Sequence, residues 1–258
     1  MEILGYVGAL FIGLVLGLTG GGGSILTVPI LVYLMSINPV TATAYSLFIV
    51  GTTSTFGAIQ NYRKNLVDIK NGFIFAIPSF IAVYLTRKYI VPEIPKVILE
   101  FPILITKETF LMLFFAVIMI FGALSVLKKK SQKANSKEKR NLILIGIQTF
   151  TIGIIIGLVG AGGGFLIIPS LILFAKLPMR KAVGTSLFII AMNSLVGFIG
   201  DVQNLEIDWT FLLTFSSISV VGIFIGIYLT KYTNESQLKK IFAYFVLVMA
   251  AIILLKEM

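Results

Sequence analysis

The 258-residue chain has no cysteine, no histidine and only one tryptophan. Disulfides, cysteine or histidine metal sites and histidine general-base catalysis are therefore excluded. Charge is sparse as well. Charged residues make up 12% of the chain, about half the usual share of roughly 25%. No carboxylate falls in the middle of an apolar segment, since Asp68, Asp201, Glu206 and Asp208 sit at segment boundaries. A membrane-buried Asp or Glu is the usual mark of a proton relay, so this absence weakens a carboxylate-driven antiport scheme. Asp68 and Asp208 do occupy similar places in the two halves. The apolar segments also carry essentially no basic residue near their centres.

Apolar residues fill the space that charge leaves, at 57% of the chain. Residues 109–127 contain no charge at all, and such a stretch of about 19 residues crosses a hydrocarbon core of roughly 30 Å. The chain reads as an all-α polytopic membrane protein. Apolar segments cover residues 3–19, 24–36, 41–60, 71–91 and 109–127, then 141–159, 165–177, 182–200, 209–230 and 238–256. The segments 24–36 and 165–177 are about 13 residues long, roughly 20 Å as helix, too short to span alone. Met1-Glu2-Ile3 offers no basic stretch, so the first segment reads as a membrane span rather than a leader.

The net charge of +10 gathers in the 128–140 loop, Lys128-Lys129-Lys130 to Lys139-Arg140. A basic loop between spans is a cytoplasmic topology signal, and nucleic-acid binding is not expected. Alternation from this loop puts Arg63-Lys64…Lys70, Lys176…Arg180-Lys181 and Lys231…Lys239-Lys240 inside. The 37–40 turn, the mixed 92–108 loop and the loop with Asp201, Glu206 and Asp208 fall outside, as do both termini. The expected protein is multi-pass in the plasma membrane, with an N-terminal repeat 1–127, a basic cytoplasmic linker 128–140 and a C-terminal repeat 141–258.

The repeats are visible in a glycine-rich element that occurs twice. Gly17-Leu18-Thr19-Gly20-Gly21-Gly22-Gly23-Ser24 leads to Pro29, and Gly157-Leu158-Val159-Gly160-Ala161-Gly162-Gly163-Gly164 leads to Pro169. An offset of 140 residues aligns them without gaps through Ser46-Leu47-Phe48-Ile49 and Ser186-Leu187-Phe188-Ile189, with 15 of 41 positions identical from Gly17 to Gly57. With the loop charges, the first repeat begins outside and the second inside. The halves are therefore expected to have inverted topology, each a glycine-broken helix pair, re-entrant or fully crossing, plus three transmembrane helices. Broken helices at matching places in inverted halves point to a transporter binding site near the midplane.

Glycines let backbone N–H groups approach a ligand and tolerate the positive φ of an anion nest. A short helix is expected to start from Ser24 and from Phe165, and a helix N-terminus favours an anion. Two such ends facing each other make an anion site that needs no Lys or Arg. Glycines in membrane helices also serve simply as close-packing positions. Ser46 and Ser186 are candidate hydroxyl contacts. Pro29, Pro169, Thr53, Asn193, Gln60 and Gln203 are candidate gating or pore-lining residues. No catalytic residue, metal ligand or cofactor is expected.

The two motifs, GLTGGGGSILTVPIL and GLVGAGGGFLIIPSL, are each followed by A-x-x-x-S-L-F. Together they resemble the signature of the TauE/SafE family of sulfite-exporter-like membrane transporters. The resemblance covers nearly the whole chain. It implies transport of a small sulfur-containing anion, namely sulfite, thiosulfate or an organosulfonate; coupling is left open, with H+ and Na+ as the candidate ions. It also implies Gly20, Gly22, Gly23, Ser46, Gly160, Gly162, Gly163 and Ser186 as substrate-binding residues, to which Ser24 and Gly164 are added from the helix starts. Members that handle thiol chemistry would use cysteines, and this chain has none, so anion transport is expected rather than a redox role. An anion channel is the alternative that uses the same site. An intramembrane enzyme would need a nucleophile with a base or metal, and a cation transporter would need acidic or soft ligands at mid-depth.

Overall fold

A computed structural model describes residues 2–99, 105–127, 142–160, 163–202, 205–232 and 235–257. The linker 128–140 lies outside the described residues. In the first half, α1 spans Glu2–Thr19, α2 Ser24–Pro29, α3 Pro39–Arg63, α4 Ile69–Leu85 and α5 Lys107–Leu127. In the second half, α6 spans Leu142–Val159, α7 Gly164–Leu173, α8 Met179–Asp201, α9 Trp209–Leu229 and α10 Glu235–Glu257. The expected segments are thus helices, and the glycine elements are the interruptions between α1 and α2 and between α6 and α7.

Two helices do not stay α. After Pro29 the chain of α2 continues as a π-helical turn, Ile30–Leu34. Pro29 has no N–H to give to the preceding turn, and the wider turn absorbs that loss. α4 likewise loosens into a π-helical turn, Thr86–Ile90, before a last α-turn at Val91–Glu93. The 92–108 segment is more than a loop, because Val97–Leu99 pairs antiparallel with Ile105–Thr106.

The helices are amphipathic in the sense that suits lipid. On α4, Phe73, Ile77, Ile81 and Leu85 are exposed and recur every four residues. Asn71, Ser79, Thr86 and Arg87 lie on the buried side. Apolar residues face outward and polar ones inward, as expected where the surrounding medium is hydrocarbon. Four described helices are long and apolar enough to cross a membrane: Ile69–Glu93, Lys107–Leu124, Met179–Asp201 and Trp209–Leu229. The chain is an all-α polytopic membrane protein. α3 carries a buried polar series instead, Thr43, Ser46, Thr53, Ser54 and Asn61.

The halves pack by exchange. α3 lies against α8, α1 against α9, α6 against α4, and α5 against α10. Many contacts come in pairs related by the 140-residue offset. A Cβ on Gly13 would strike the Ser219 carbonyl, and one on Gly153 the Ser79 carbonyl. The Asp68 N–H donates to Thr185 Oγ1 (2.9 Å), and the Asp208 N–H to the Tyr45 hydroxyl (2.7 Å). Each of these aspartates also caps its own helix, Asp68 accepting from the Asn71 N–H and Asp208 from the Phe211 N–H, both at 3.0 Å.

The α1–α9 contact is backbone on backbone. Gly13 and Gly17 face Gly222 and Gly226, and Leu10 and Leu14 carbonyls occupy the space a Cβ on either of the latter would need. Close approach is what small residues permit between membrane helices. Gly13→Ala and Gly153→Ala should each destabilise the protein by about 1–3 kcal/mol, the range for overpacking. Gly146→Ala, which meets nothing within 4 Å, should not. Thermal unfolding in detergent checks the contrast.

Candidate functional site

The first break opens where α1 ends. Gly20 N–H still donates to the Leu16 carbonyl (2.8 Å), but Gly20 has φ 74°, a backbone state that side chains disfavour. Thr19 bridges the end, its hydroxyl donating to the Val15 carbonyl (2.8 Å) and accepting from the Gly22 N–H (2.9 Å). Ser24 starts α2 and its hydroxyl donates to the Gly21 carbonyl (2.7 Å). The second break follows the same plan. Gly160 N–H donates to the Ile156 carbonyl (2.8 Å), and Gly160 and Gly163 have φ 70° and 66°. α7 starts at Gly164, one residue earlier than expected.

The two breaks touch. A Cβ on Gly21 would lie 2.6 Å from the Gly164 Cα. Every residue from Gly20 to Leu31 is buried. Each break is also covered by the start of a helix from the other half, Gly20 by Val183 and Gly160 by Thr43. From the start of α8, the Ser186 hydroxyl reaches the Gly20 carbonyl, with the Val183 carbonyl also in range at 2.8 Å.

Buried hydroxyls in membrane helices usually donate back to their own helix. This protein does the same at many sites: Ser79 donates to the Phe75 carbonyl (2.8 Å), Thr149 to Ile145 (2.9 Å) and Ser170 to Leu166 (2.8 Å). Five hydroxyls on α2, α3 and α8 break the pattern. Thr27, Ser46, Thr53, Ser54 and Ser194 are fully buried, and their hydroxyls have no hydrogen-bond partner among the described residues. Asn193 accepts from the Ser79 hydroxyl at Oδ1 (2.9 Å) and leaves its Nδ2 unpartnered. An unmet buried polar group costs about 1–3 kcal/mol, so these groups, on the helices that adjoin the two breaks, are not accounted for by packing alone.

A charge lies at the second break. Arg87 is 0% exposed. Its Nη1 is 3.3 Å from Asp201 Oδ2 and donates to Thr43 Oγ1 at 3.1 Å. A Cβ on Gly160 would lie 2.5 Å from Nη2. Arg87 lies near the end of its apolar segment and is not among the expected site residues. Asp201 is at a helix boundary as expected, the last residue of α8, and it is buried there. Taking such ions out of water costs several kcal/mol each even after relaxation.

The sequence pattern of the family described as sulfite exporter TauE/SafE matches residues 6–253. The chain belongs to the TauE/SafE family. A probable membrane transporter protein of Xylella fastidiosa (strain 9a5c) is 26% identical over 246 residues, covering 93% of this chain and 89% of the relative. The probable membrane transporter protein YdhB of Bacillus subtilis (strain 168) is 29% identical over 229 residues, 86% of each. YunE of the same organism, also a probable membrane transporter protein, is 27% identical over 233 residues. No solved structure matches. This TauE/SafE protein is a membrane transporter and not an enzyme.

Within the transporter, the expected site residues separate into groups. Gly20, Gly22, Gly23, Ser24, Gly160, Gly163 and Gly164 form the breaks and are buried. Ser46 and Ser186, equivalent in sequence, differ in state: Ser186 braces the first break and Ser46 is unpartnered. Thr53 and Asn193 are buried, each with an unpartnered polar atom, and Gln60 is half-buried with Oε1 enclosed and unpartnered. Pro29 and Pro169 lie inside α2 and α7. Gly162 and Gln203 lie outside the described residues.

Sequence reasoning missed Arg87 because it stands beside Lys88 at the end of an apolar segment, where paired basic residues read as a boundary. Only Arg87 turns inward. Lys88 donates to the Tyr84 hydroxyl (3.1 Å). The available signal was the offset itself, since position 227, equivalent to Arg87, is an isoleucine. Removing the Ser186 hydroxyl leaves the Gly20 carbonyl without that donor. Ser186→Ala should destabilise the transporter by about 1–3 kcal/mol, while Ser217→Ala on the exposed side of α9 should be silent in the same unfolding assay.

Proposed function

We propose that this TauE/SafE transporter moves small sulfur-containing oxyanions, namely sulfite, thiosulfate or organosulfonates, across the plasma membrane. The anion sits where the two glycine breaks meet, held by backbone N–H groups of Gly21, Gly23, Gly163 and Gly164 and by the Ser46 hydroxyl, while Ser186 braces the first break. The observation that carries this reading is the contact of the breaks, Gly21 on Gly164, with Ser46 buried and unpartnered one turn beyond Thr43, which covers Gly160. Hydroxyls, amides and helix starts are donors to anions. They are poor cation ligands in the absence of carboxylates.

The offset-related contacts between halves are those of a two-fold relation. Loop charge selects an axis in the membrane plane, because 128–140 is basic and the loops placed on the opposite face hold few basic residues. In this reading the halves are inverted, the linker is cytoplasmic and both termini are extracellular. The exchanged helices rock about the breaks to expose the anion alternately, with H+ or Na+ as coupling ion.

The test is radiolabelled sulfite uptake into proteoliposomes, with and without a pH or sodium gradient, and with thiosulfate, sulfoacetate, taurine and sulfate as competitors. Saturable uptake blocked by sulfur oxyanions and not by chloride is the expected result. Ser46→Ala should raise KM roughly two- to tenfold, the loss of one hydrogen bond. Absence of uptake of any sulfur anion by folded protein overturns the substrate class. Large unsaturable current favours the channel that would use the same site.

A further inference from the structure

The buried hydroxyls and amides leave out the charge beside them. Arg87 has five N–H donors, and among the described residues only its Nη1 end meets a partner. That end meets Asp201 at 3.3 Å and Thr43 at 3.1 Å. A structural Arg–carboxylate pair makes two parallel bonds across the fork. Here the contact is through one nitrogen, and Nε and Nη2 are buried with no partner among the described residues. Nε–H and one Nη2–H form the edge that takes two oxygens of one oxyanion. Nη2 lies at the Gly160 backbone, where any side chain would collide with it, and a Cβ on Gly200 would come to 3.0 Å from the Arg87 Cβ.

The other half carries no such charge. At the equivalent positions of the other half, Arg87 is replaced by Ile227, Asp201 by Asn61, and Thr43 by Val183, against Gly20 in place of Gly160. Ile227 and Asn61 are buried just as their counterparts are. The same architecture is built once with an ion pair and once without. Lys107, at the start of α5, acts electrostatically on both Arg87 and Asp201, and Glu108 acts on Lys107 in turn.

We propose that Arg87 is the charged member of the anion site. Its Nε–Nη2 edge binds two oxygens of a single oxyanion at the Gly160 break, and Asp201 holds its Nη1 end and sets its orientation. This rests on the breaks being the substrate site. The chemistry selected is a small anion with two oxygens on one face, which sulfite, thiosulfate and sulfonates share and chloride lacks.

The experiment compares the wild type with Arg87→Lys, Asp201→Asn and the double variant Arg87→Ile/Asp201→Asn, which copies the residues of the other half. Two readouts are taken: KM for radiolabelled sulfite in proteoliposomes, and the rise in Tm in detergent on adding sulfite, thiosulfate, sulfate, phosphate, acetate or chloride. Arg87→Lys should raise KM roughly ten- to a hundredfold, because a point charge replaces a bidentate fork. Asp201→Asn should unfold earlier than wild type without anion and show the larger oxyanion-induced rise. The double variant should regain stability and lose both the oxyanion-induced rise and saturable uptake. A double variant with wild-type KM and Tm response would overturn the proposal and make the pair structural. An Arg87→Lys protein with unchanged KM and Tm response would do the same, even if the double variant failed to fold. If the wild type transports no sulfur anion but an oxyanion raises its Tm only when Arg87 is present, the arginine site stands and the substrate class falls. If no oxyanion in the panel moves the wild-type Tm and sulfite uptake is independent of Arg87, the arginine site falls.

Discussion

A helix can be interrupted inside a membrane only where protein supplies what the bilayer cannot. Hydrocarbon offers no partner for a freed N–H or carbonyl. Both glycine breaks meet this constraint with groups from elsewhere in the fold. Thr19 and Ser24 serve the first break locally, and Ser186 reaches its Gly20 carbonyl from the opposite half. Val183 and Thr43 cover Gly20 and Gly160. The same exchange presses α1 onto α9 and α6 onto α4.

That exchange depends on glycine in a second way. Gly13, Gly17, Gly222 and Gly226 remove side chains between α1 and α9 so that backbones meet, the close packing that drives association where the surrounding lipid is as apolar as the helix. The glycines of this chain thus have two jobs. Those at Gly20 and Gly160 take positive φ and end a helix, and those a turn or two earlier let helices touch. The outward faces need only be apolar, which the Phe73, Ile77, Ile81 and Leu85 stripe provides.

Several contacts between the halves recur at the 140-residue offset, but the buried charge does not. The Asp68 and Asp208 caps, their hydroxyl acceptors and the glycine contacts all have counterparts. Arg87 and Asp201 do not. A buried ion pair is at best weakly stabilising compared with well-packed apolar residues, and Ile227 and Asn61 fill the equivalent places in the other half. The asymmetry gives the second break a buried guanidinium that the first break lacks.

Helix number, helix boundaries and the glycine interruptions were legible in the sequence, because hydrocarbon thickness and backbone chemistry translate directly into run length and composition. The doubled Gly17 and Gly157 motifs also carried the family. What could not be read were relations across space. Nothing in the chain distinguishes Ser46 from Ser186, yet one hydroxyl is spent on Gly20 and the other is unspent. Arg87 and Lys88 are neighbours of the same type, and a rotation of about 100° per residue along a helix sends one inward and the other outward. Asp201 looked like a loop residue until α8 was seen to bury its last turn. The sequence alone determined a duplicated, all-helical membrane transporter with a break in each half, since those properties are local and periodic. The tertiary structure alone decided that the breaks meet and that a buried arginine stands beside one of them, because those depend on which faces of helices far apart in the chain are pressed together.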